Sequence, residues 1–308
     1  MSLRRPAAVI ALCCSLAWAA LVATRIADRP ASTTAGHPEH TLSDVTVPWP
    51  AHGQAALAVD GRGDLGASGG SRPVPIASLA KMMTAYLVLA DHPLGGDERG
   101  FTVTFQDQDV LDWKLRNGGD QSLVRVEAGE VMDERQLLEA LLLPSANNIA
   151  IVLAVHEAGS VTAFVRRMND TADRLGMKDT TYTDPSGLDA GTVSTAPDQL
   201  RLVRTALRDA TFADIVSMPS TSLPVVGEVE NTNPLLRLPG FLGVKTGSDD
   251  AAGGCLAFAA VRRVGGRQVT VLGVVLGQRD GPLLAAAARA ARPLAEAGFR
   301  AAETPGSR

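Results

Sequence analysis

Residues 75–90 read PIASLAKMMTAYLVLA. From Ile76 onward the run is apolar on nearly every side of a 3.6-residue period, the pattern of a buried helix, yet it carries Lys81, a residue type almost never fully buried without a partner. Ser78 stands three positions earlier, on the same helical face. That is nucleophile-and-base spacing: a serine hydroxyl attacks only when something takes its proton, and a lysine takes one only as the neutral amine. Bringing a lysine down from its usual pKa of about 10.4 costs about 1.36 kcal/mol per unit, which burial and a second nearby cation supply. The plainer alternative is that Lys81 snorkels to solvent and Ser78 caps the helix behind Pro75 and Ile76. Composition bears on the choice. Of 29 basic residues only four are lysines, namely Lys81, Lys114, Lys178 and Lys245, and arginine, which stays protonated, cannot replace a lysine that must act as a base.

Working outward, AALAVD after Gln54 and the glycine-rich GRGDLGASGG read as a strand and a hairpin turn; the latter lacks the Gly-Lys-Ser/Thr ending of a phosphate loop. SLVRVEAG at 122–129 reads as a short strand. ERQLLEALLL is a helix stopped by Pro144, and NIAIVLAVHEAG, SVTAFVRRMNDTADRLG and TAPDQLRLVRTALRD follow with helical spacing, the last capped by Thr195 and Asp198. From Phe241 the texture is strand-like: GVKTGSDD, then GCLAFAAVRR and RQVTVLGVVLG joined at Gly265-Gly266, before a closing helix PLLAAAARAARPLAEAG. Strands at both ends with helices between imply an α/β (α+β) domain. One antiparallel sheet is built from both termini, flanked by helices and carrying an inserted, mostly helical subdomain.

The N-terminal MSLRRPAAVIALCCSLAWAALVATR, residues 1–25, reads as an export signal or an N-terminal membrane anchor. A flexible linker is expected over 26–53, the domain over 54–297, and a disordered tail over 298–308. The body is therefore expected to work outside the cytoplasm. His37 and His40 lack further ligands, so no metal is expected, and Cys255 is the only cysteine of the body, a lone buried thiol. A net charge of −4 without a long basic run excludes a nucleic-acid footprint.

Two more polar islands interrupt apolar sequence. In LLLPSANNIAIV, Ser145 with Asn147 is either a helix cap or a second site element. In GVKTGSDD, Lys245 and Thr246 on a strand, followed by Gly247 whose missing side chain lets backbone approach closely, suit capture of a carboxylate; alone, the tripeptide is unremarkable. Ser-x-x-Lys, Ser-x-Asn and Lys-Thr-Gly in this order, each in the expected helix or strand setting, resemble the motif set of the penicillin-recognising serine enzymes. Blocks such as FVRRMNDTADRLGMKDTTYTDPSGLD and NTNPLLRLPGFLGVKTGSDDAAGGCLAFAA extend the resemblance over about residues 54–297 to the serine D-alanyl-D-alanine carboxypeptidases, the low-molecular-mass penicillin-binding proteins.

The resemblance implies a β-lactamase/transpeptidase-like fold and removal of the terminal D-alanine from peptidoglycan stem pentapeptides, with β-lactam antibiotics as covalent inhibitors and no cofactor or metal. It makes Ser78 the acylated nucleophile, Lys81 its base and Ser145 a proton shuttle toward the leaving amine. Asn147 would hold the substrate's peptide group, and Lys245 with Thr246 and Gly247 the terminal carboxylate. The backbone N–H groups of Ser78 and Ser248 would form the oxyanion hole. There are departures: Ala146 replaces the usual glycine between Ser145 and Asn147, Ser248 stands where tyrosine or threonine is common, and Ser186 where histidine is frequent before Gly-Leu. Two alternatives stay open, a serine β-lactamase and a catalytically idle β-lactam or muropeptide binder. A class A lactamase would use a glutamate to activate water, and none occurs between Val161 and Leu207.

Overall fold

Alternation of side chains along the strands builds the domain. The structure, a computed structural model, describes residues 45–303. The expected signal or anchor, His37 and His40 of the linker and the last residues of the tail lie outside the described residues. Five strands, β1 (Gln54–Val59), β2 (Gly63–Ser68), β3 (Phe241–Asp249), β4 (Gly253–Val264) and β5 (Arg267–Gln278), form one antiparallel sheet in the order β2-β1-β5-β4-β3. Residues one apart on a strand face opposite sides. Ala55, Leu57 and Val59 of β1 with Leu256, Phe258 and Ala260 of β4 therefore pack under the C-terminal helix, while Ala56, Ala58, Ala257 and Ala259 face the helical part. Gly273 of β5, opposite Phe258, leaves room for that ring, because a Cβ there would sit 2.3 Å from it.

The insert carries α1 (Lys81–Asp91), α2 (Asp107–Arg116), α3 (Glu134–Leu142), α4 (Asn147–Ala158), α5 (Val161–Arg174), α6 (Ala196–Ala206) and α7 (Ala210–Ser217); α8 (Leu283–Glu303) closes the sheet. Their starts follow from capping chemistry. Asp133 accepts from Gln136 N at 2.8 Å while the Gln136 side chain accepts from Asp133 N at 3.1 Å, a reciprocal box at the start of α3. Thr195 accepts from Asp198 N at 3.3 Å at the start of α6, as the sequence led us to expect.

Several expectations need correction. SLVRVEAG is extended but pairs with no strand: Val124 exchanges both backbone hydrogen bonds, at 3.1 and 2.8 Å, with the side-chain amide of Asn148, which takes the place of a neighbouring strand. Helices α2 and α7 and a hairpin of Ser220–Leu223 with Gly227–Glu230 were not expected. The linker does not run free to residue 53, since Val47 and Trp49 pack against the core beneath α8. Nor does a disordered tail begin at 298: α8 continues to Glu303 with Phe299, Ala301 and Ala302 buried. Cys255 is a buried free thiol, and burial pushes its pKa up to about 12.

Glu134 is fully buried, and burial, opposed by the Phe101 backbone and reinforced by Glu157 and Asp133, raises its pKa to about 7. The folded state thus holds a proton here that the unfolded chain releases near pH 4.5, so stability falls as pH rises from there through about 7. Glu134→Gln, which removes the ionisation, is expected to raise Tm by about 2–4 °C at pH 8 and by less at pH 5. Thermal scans giving the same difference at both pH values would contradict this.

Candidate active site

The site lies where α1, the α3–α4 turn and strand β3 meet. Ile76 and Ala77 lead into a single 3-10 turn, Ala77–Ala80, that runs straight into α1. Ser78 therefore sits within the turn and does not cap it, and Lys81 begins the helix. The snorkelling alternative fails on burial, because Lys81 is 0% exposed. Its Nζ lies 2.7 Å from Ser78 Oγ, 2.6 Å from Asn147 Oδ1 and 2.9 Å from the Ser186 carbonyl oxygen. Two of these partners only accept. Once deprotonated, the amine keeps two N–H groups for them and can turn its lone pair toward the third partner, the Ser78 hydroxyl. Burial first, and the charge of Lys245 second, hold the Lys81 pKa well below the ordinary lysine value, with Asp184 acting in the opposite direction.

Asn147 is oriented for this task. Its Nδ2 donates to Gln121 Oε1 at 3.1 Å, which turns Oδ1 toward the lysine. Pro144 stops α3, and Ser145 adopts a left-handed backbone, φ 66°, before α4 starts at Asn147. Ser145 is no helix cap: Ala146 occupies the cap position without a side-chain bond, and the buried Ser145 Oγ has no hydrogen-bond partner among the described residues. The left-handed backbone and the orphaned buried hydroxyl are uncommon features for a serine in a helix–helix turn.

Strand β3 brings the third group. Lys245 stands opposite Ala257 and Gly247 opposite Cys255 in the ladder with β4. Lys245 is 1% exposed, donates to the Thr246 carbonyl at 3.1 Å, and burial lowers its pKa to about 7. Thr246 Oγ1 shares a 2.6 Å hydrogen bond with Thr232 Oγ1, and Thr232 N donates to the Leu143 carbonyl at 3.1 Å, so one threonine links β3 to the turn that carries Ser145. The close approach expected of Gly247 is literal: a Cβ there would lie 2.9 Å from Ser78 N and 3.0 Å from the Ile76 carbonyl oxygen. Ser78, Asn147 and Ser248 open together onto a cleft of about 590 Å³, whose rim includes Asp120, Gln121 and Leu188.

Three contributors escaped the sequence reading. Ser186 acts through its carbonyl, Gln121 by fixing an amide, and Thr232 by joining two motifs. Main-chain contacts carry no residue-type signal, and the single glutamine and threonine have no spacing of their own. No group of His, Cys, Asp or Glu suited to a metal occurs among the described residues.

A hydroxyl paired with an enclosed lysine whose charge burial disfavours, beside a glycine strand edge and a sheet built from both chain ends, defines a serine acyl-transfer enzyme of the β-lactamase/transpeptidase-like class. The family profile for D-alanyl-D-alanine carboxypeptidases, peptidase S11, matches residues 51–280, and the chain belongs to that family. It is 33% identical to the D-alanyl-D-alanine carboxypeptidase of Streptomyces sp. strain K15 over 67% of this chain and 73% of that one. To D-alanyl-D-alanine carboxypeptidase DacB2 of Mycobacterium tuberculosis it is 36% identical over 64% of this chain and 65% of the relative. The crystal structure of the Streptomyces K15 DD-transpeptidase superposes with a TM-score of 0.73 at 30% identity, covering 83% of this chain and all of that one.

Proposed function

We propose that the chain removes the C-terminal D-alanine of peptidoglycan stem pentapeptides through an acyl-enzyme on Ser78, outside the cytoplasm, and that penicillins acylate the same hydroxyl. The observation that carries this reading is the enclosed Lys81 amine, 2.7 Å from Ser78 Oγ, where burial and Lys245 disfavour its charge. As Oγ bonds to the carbonyl carbon of the penultimate D-alanine, its proton passes to Lys81 Nζ. The Ser78 and Ser248 backbone N–H groups stabilise the oxyanion. The C–N bond breaks, the leaving amine takes a proton relayed through Ser145, and water then hydrolyses the ester. Asn147 holds the substrate's peptide group beside the lysine.

Lys245 and Thr246, with Gly247 admitting the backbone, would seat the terminal carboxylate. Since burial alone brings Lys245 to about 7, an arriving carboxylate restores its charge, and that charge in turn disfavours protonation of Lys81. Substrate thus helps to prepare its own base.

The purified protein is expected to release D-alanine from a stem pentapeptide and to gain one penicilloyl mass on treatment with benzylpenicillin. Absence of both would overturn the reading. Sustained nitrocefin hydrolysis in place of a single-turnover burst would favour the β-lactamase alternative. No glutamate lines the cleft among the described residues, which leaves no class A type water activator there.

A further inference from the structure

The carbonyl that accepts from Lys81 belongs to a turn with an unusual anchor. Asp184 Oδ2 accepts from Ser186 N at 3.1 Å, Ser186 Oγ at 2.6 Å and Leu188 N at 3.1 Å, while Oδ1 accepts from Thr192 Oγ1 at 2.7 Å. One carboxylate thus fixes residues 184–188, and neighbouring contacts press that turn onto the nucleophile helix. Thr84 Oγ1, one helical turn beyond Lys81, donates to the Pro185 carbonyl at 2.7 Å. Gly187 has φ +79°, and a Cβ there would lie 1.8 Å from the carbonyl oxygen of Ala77, the residue before Ser78.

We propose that Asp184 is a positioning residue for acylation: its carboxylate shapes the turn that presents the Ser186 carbonyl to the Lys81 amine, and its charge offsets that of Lys245 at the base. The proposal rests on the reading of Ser78 and Lys81 given above. The charged groups that act on Lys81 are Lys245 from β3, which disfavours the ammonium, and Asp184 from this turn, which favours it; the contacts from Ser78, Asn147 and Ser186 are neutral. Burial and Lys245 unopposed would give an amine always free but too weak to draw a serine proton, and a base works best when its pKa lies near the working pH. A fixed negative charge also stabilises the ammonium that forms as Oγ attacks, without rearrangement at that moment.

Two substitutions separate shape from charge. In Asp184→Asn the amide oxygen keeps the three donors now on Oδ2, while the bond from Thr192 Oγ1, which already accepts from Thr183 N at 3.0 Å, is lost, so the charge goes and the turn keeps three of its four anchors. Asp184→Ala loses both. The measurement is the second-order rate of acylation by a labelled penicillin from pH 5 to 10, with Tm alongside. For Asp184→Asn the acid limb of the profile is expected to move to lower pH, as removing the anion makes Lys81 easier to deprotonate, and the plateau to fall on the order of tenfold. Asp184→Ala is expected to fall about 10²-fold at every pH, through misplacement of the amine. If the alanine variant does not fold, the asparagine profile decides. An unshifted acid limb in Asp184→Asn, beside a wild type that is acylated, overturns this proposal alone; a wild type that takes no adduct overturns the nucleophile assignment and this proposal with it.

Discussion

Ser78→Ala protein is expected to take no penicilloyl adduct and to release D-alanine about 10⁴-fold or more slowly than wild type, with its Tm little changed. The size follows from the loss of the only atom that forms the covalent bond; in serine enzymes what remains without the nucleophile comes from binding and the oxyanion hole. The small effect on stability follows from the site. Among the described residues Ser78 Oγ has one hydrogen-bond partner, the Lys81 amine, and the amine's bonds to Asn147 Oδ1 at 2.6 Å and the Ser186 carbonyl at 2.9 Å stay in place. Intact-mass spectrometry after benzylpenicillin and a D-alanine assay read the two halves separately. An adduct on the alanine variant would move the nucleophile elsewhere; a lost adduct with retained D-alanine release would separate penicillin binding from peptidase action.

What could be read from sequence was what residues near one another in the chain encode. The near-continuous apolar runs of β1, β4 and β5 and the Gly265-Gly266 turn made the sheet legible, because each face of each strand buries its own apolar set. Lys81 was legible as a contradiction, a cation in an apolar helix. The stretch 122–129 misled for a physical reason: Val124 and Val126 are both buried on either side of an exposed Arg125, so the period-2 pattern is real, yet its backbone partner is a side-chain amide from α4. Helix α2 has no fully buried residue and only a narrow apolar contact, Val110 and Trp113 against the core, so its stripe is weak in the sequence; a capping box between Gln106 and Asp109 and the Asp112–Arg116 pair at 2.7 Å add support. At the site the same rule holds. Ser78, Lys81, Asn147, Lys245 and Gly247 announce themselves by type and spacing, whereas Ser186 acts through its main chain, Thr232 joins segments distant in sequence, and Asp184 shapes a turn whose residues carry no periodic signal.

Lys81→Arg is the sharper test of the base, because it keeps hydrogen-bond donors at this position but carries a permanent cation that cannot take the serine proton. Acylation is expected to fall about 10³-fold or more at every pH, since general-base assistance alone is worth about 10²–10⁴ and the larger guanidinium must also displace the Asn147 and Ser186 contacts. Should the arginine not fit the enclosed site, Lys81→Met gives the same loss of rate in a side chain of similar length. The methionine variant adds a thermodynamic reading independent of catalysis. Burial and Lys245 keep the folded-state pKa of Lys81 below its unfolded value of about 10.5, so the folded protein binds fewer protons than the unfolded chain between those two values. Wild-type stability must then rise with pH through that window, up to the unfolded value. Lys81→Met has no such rise, so its Tm measured against wild type is expected to be most favourable near pH 7 and to lose ground steadily toward pH 10. A difference that stays constant over that range would mean the amine is already charged in the folded protein. In that case Ser78 would have no base at 2.7 Å, whatever the motif order suggests.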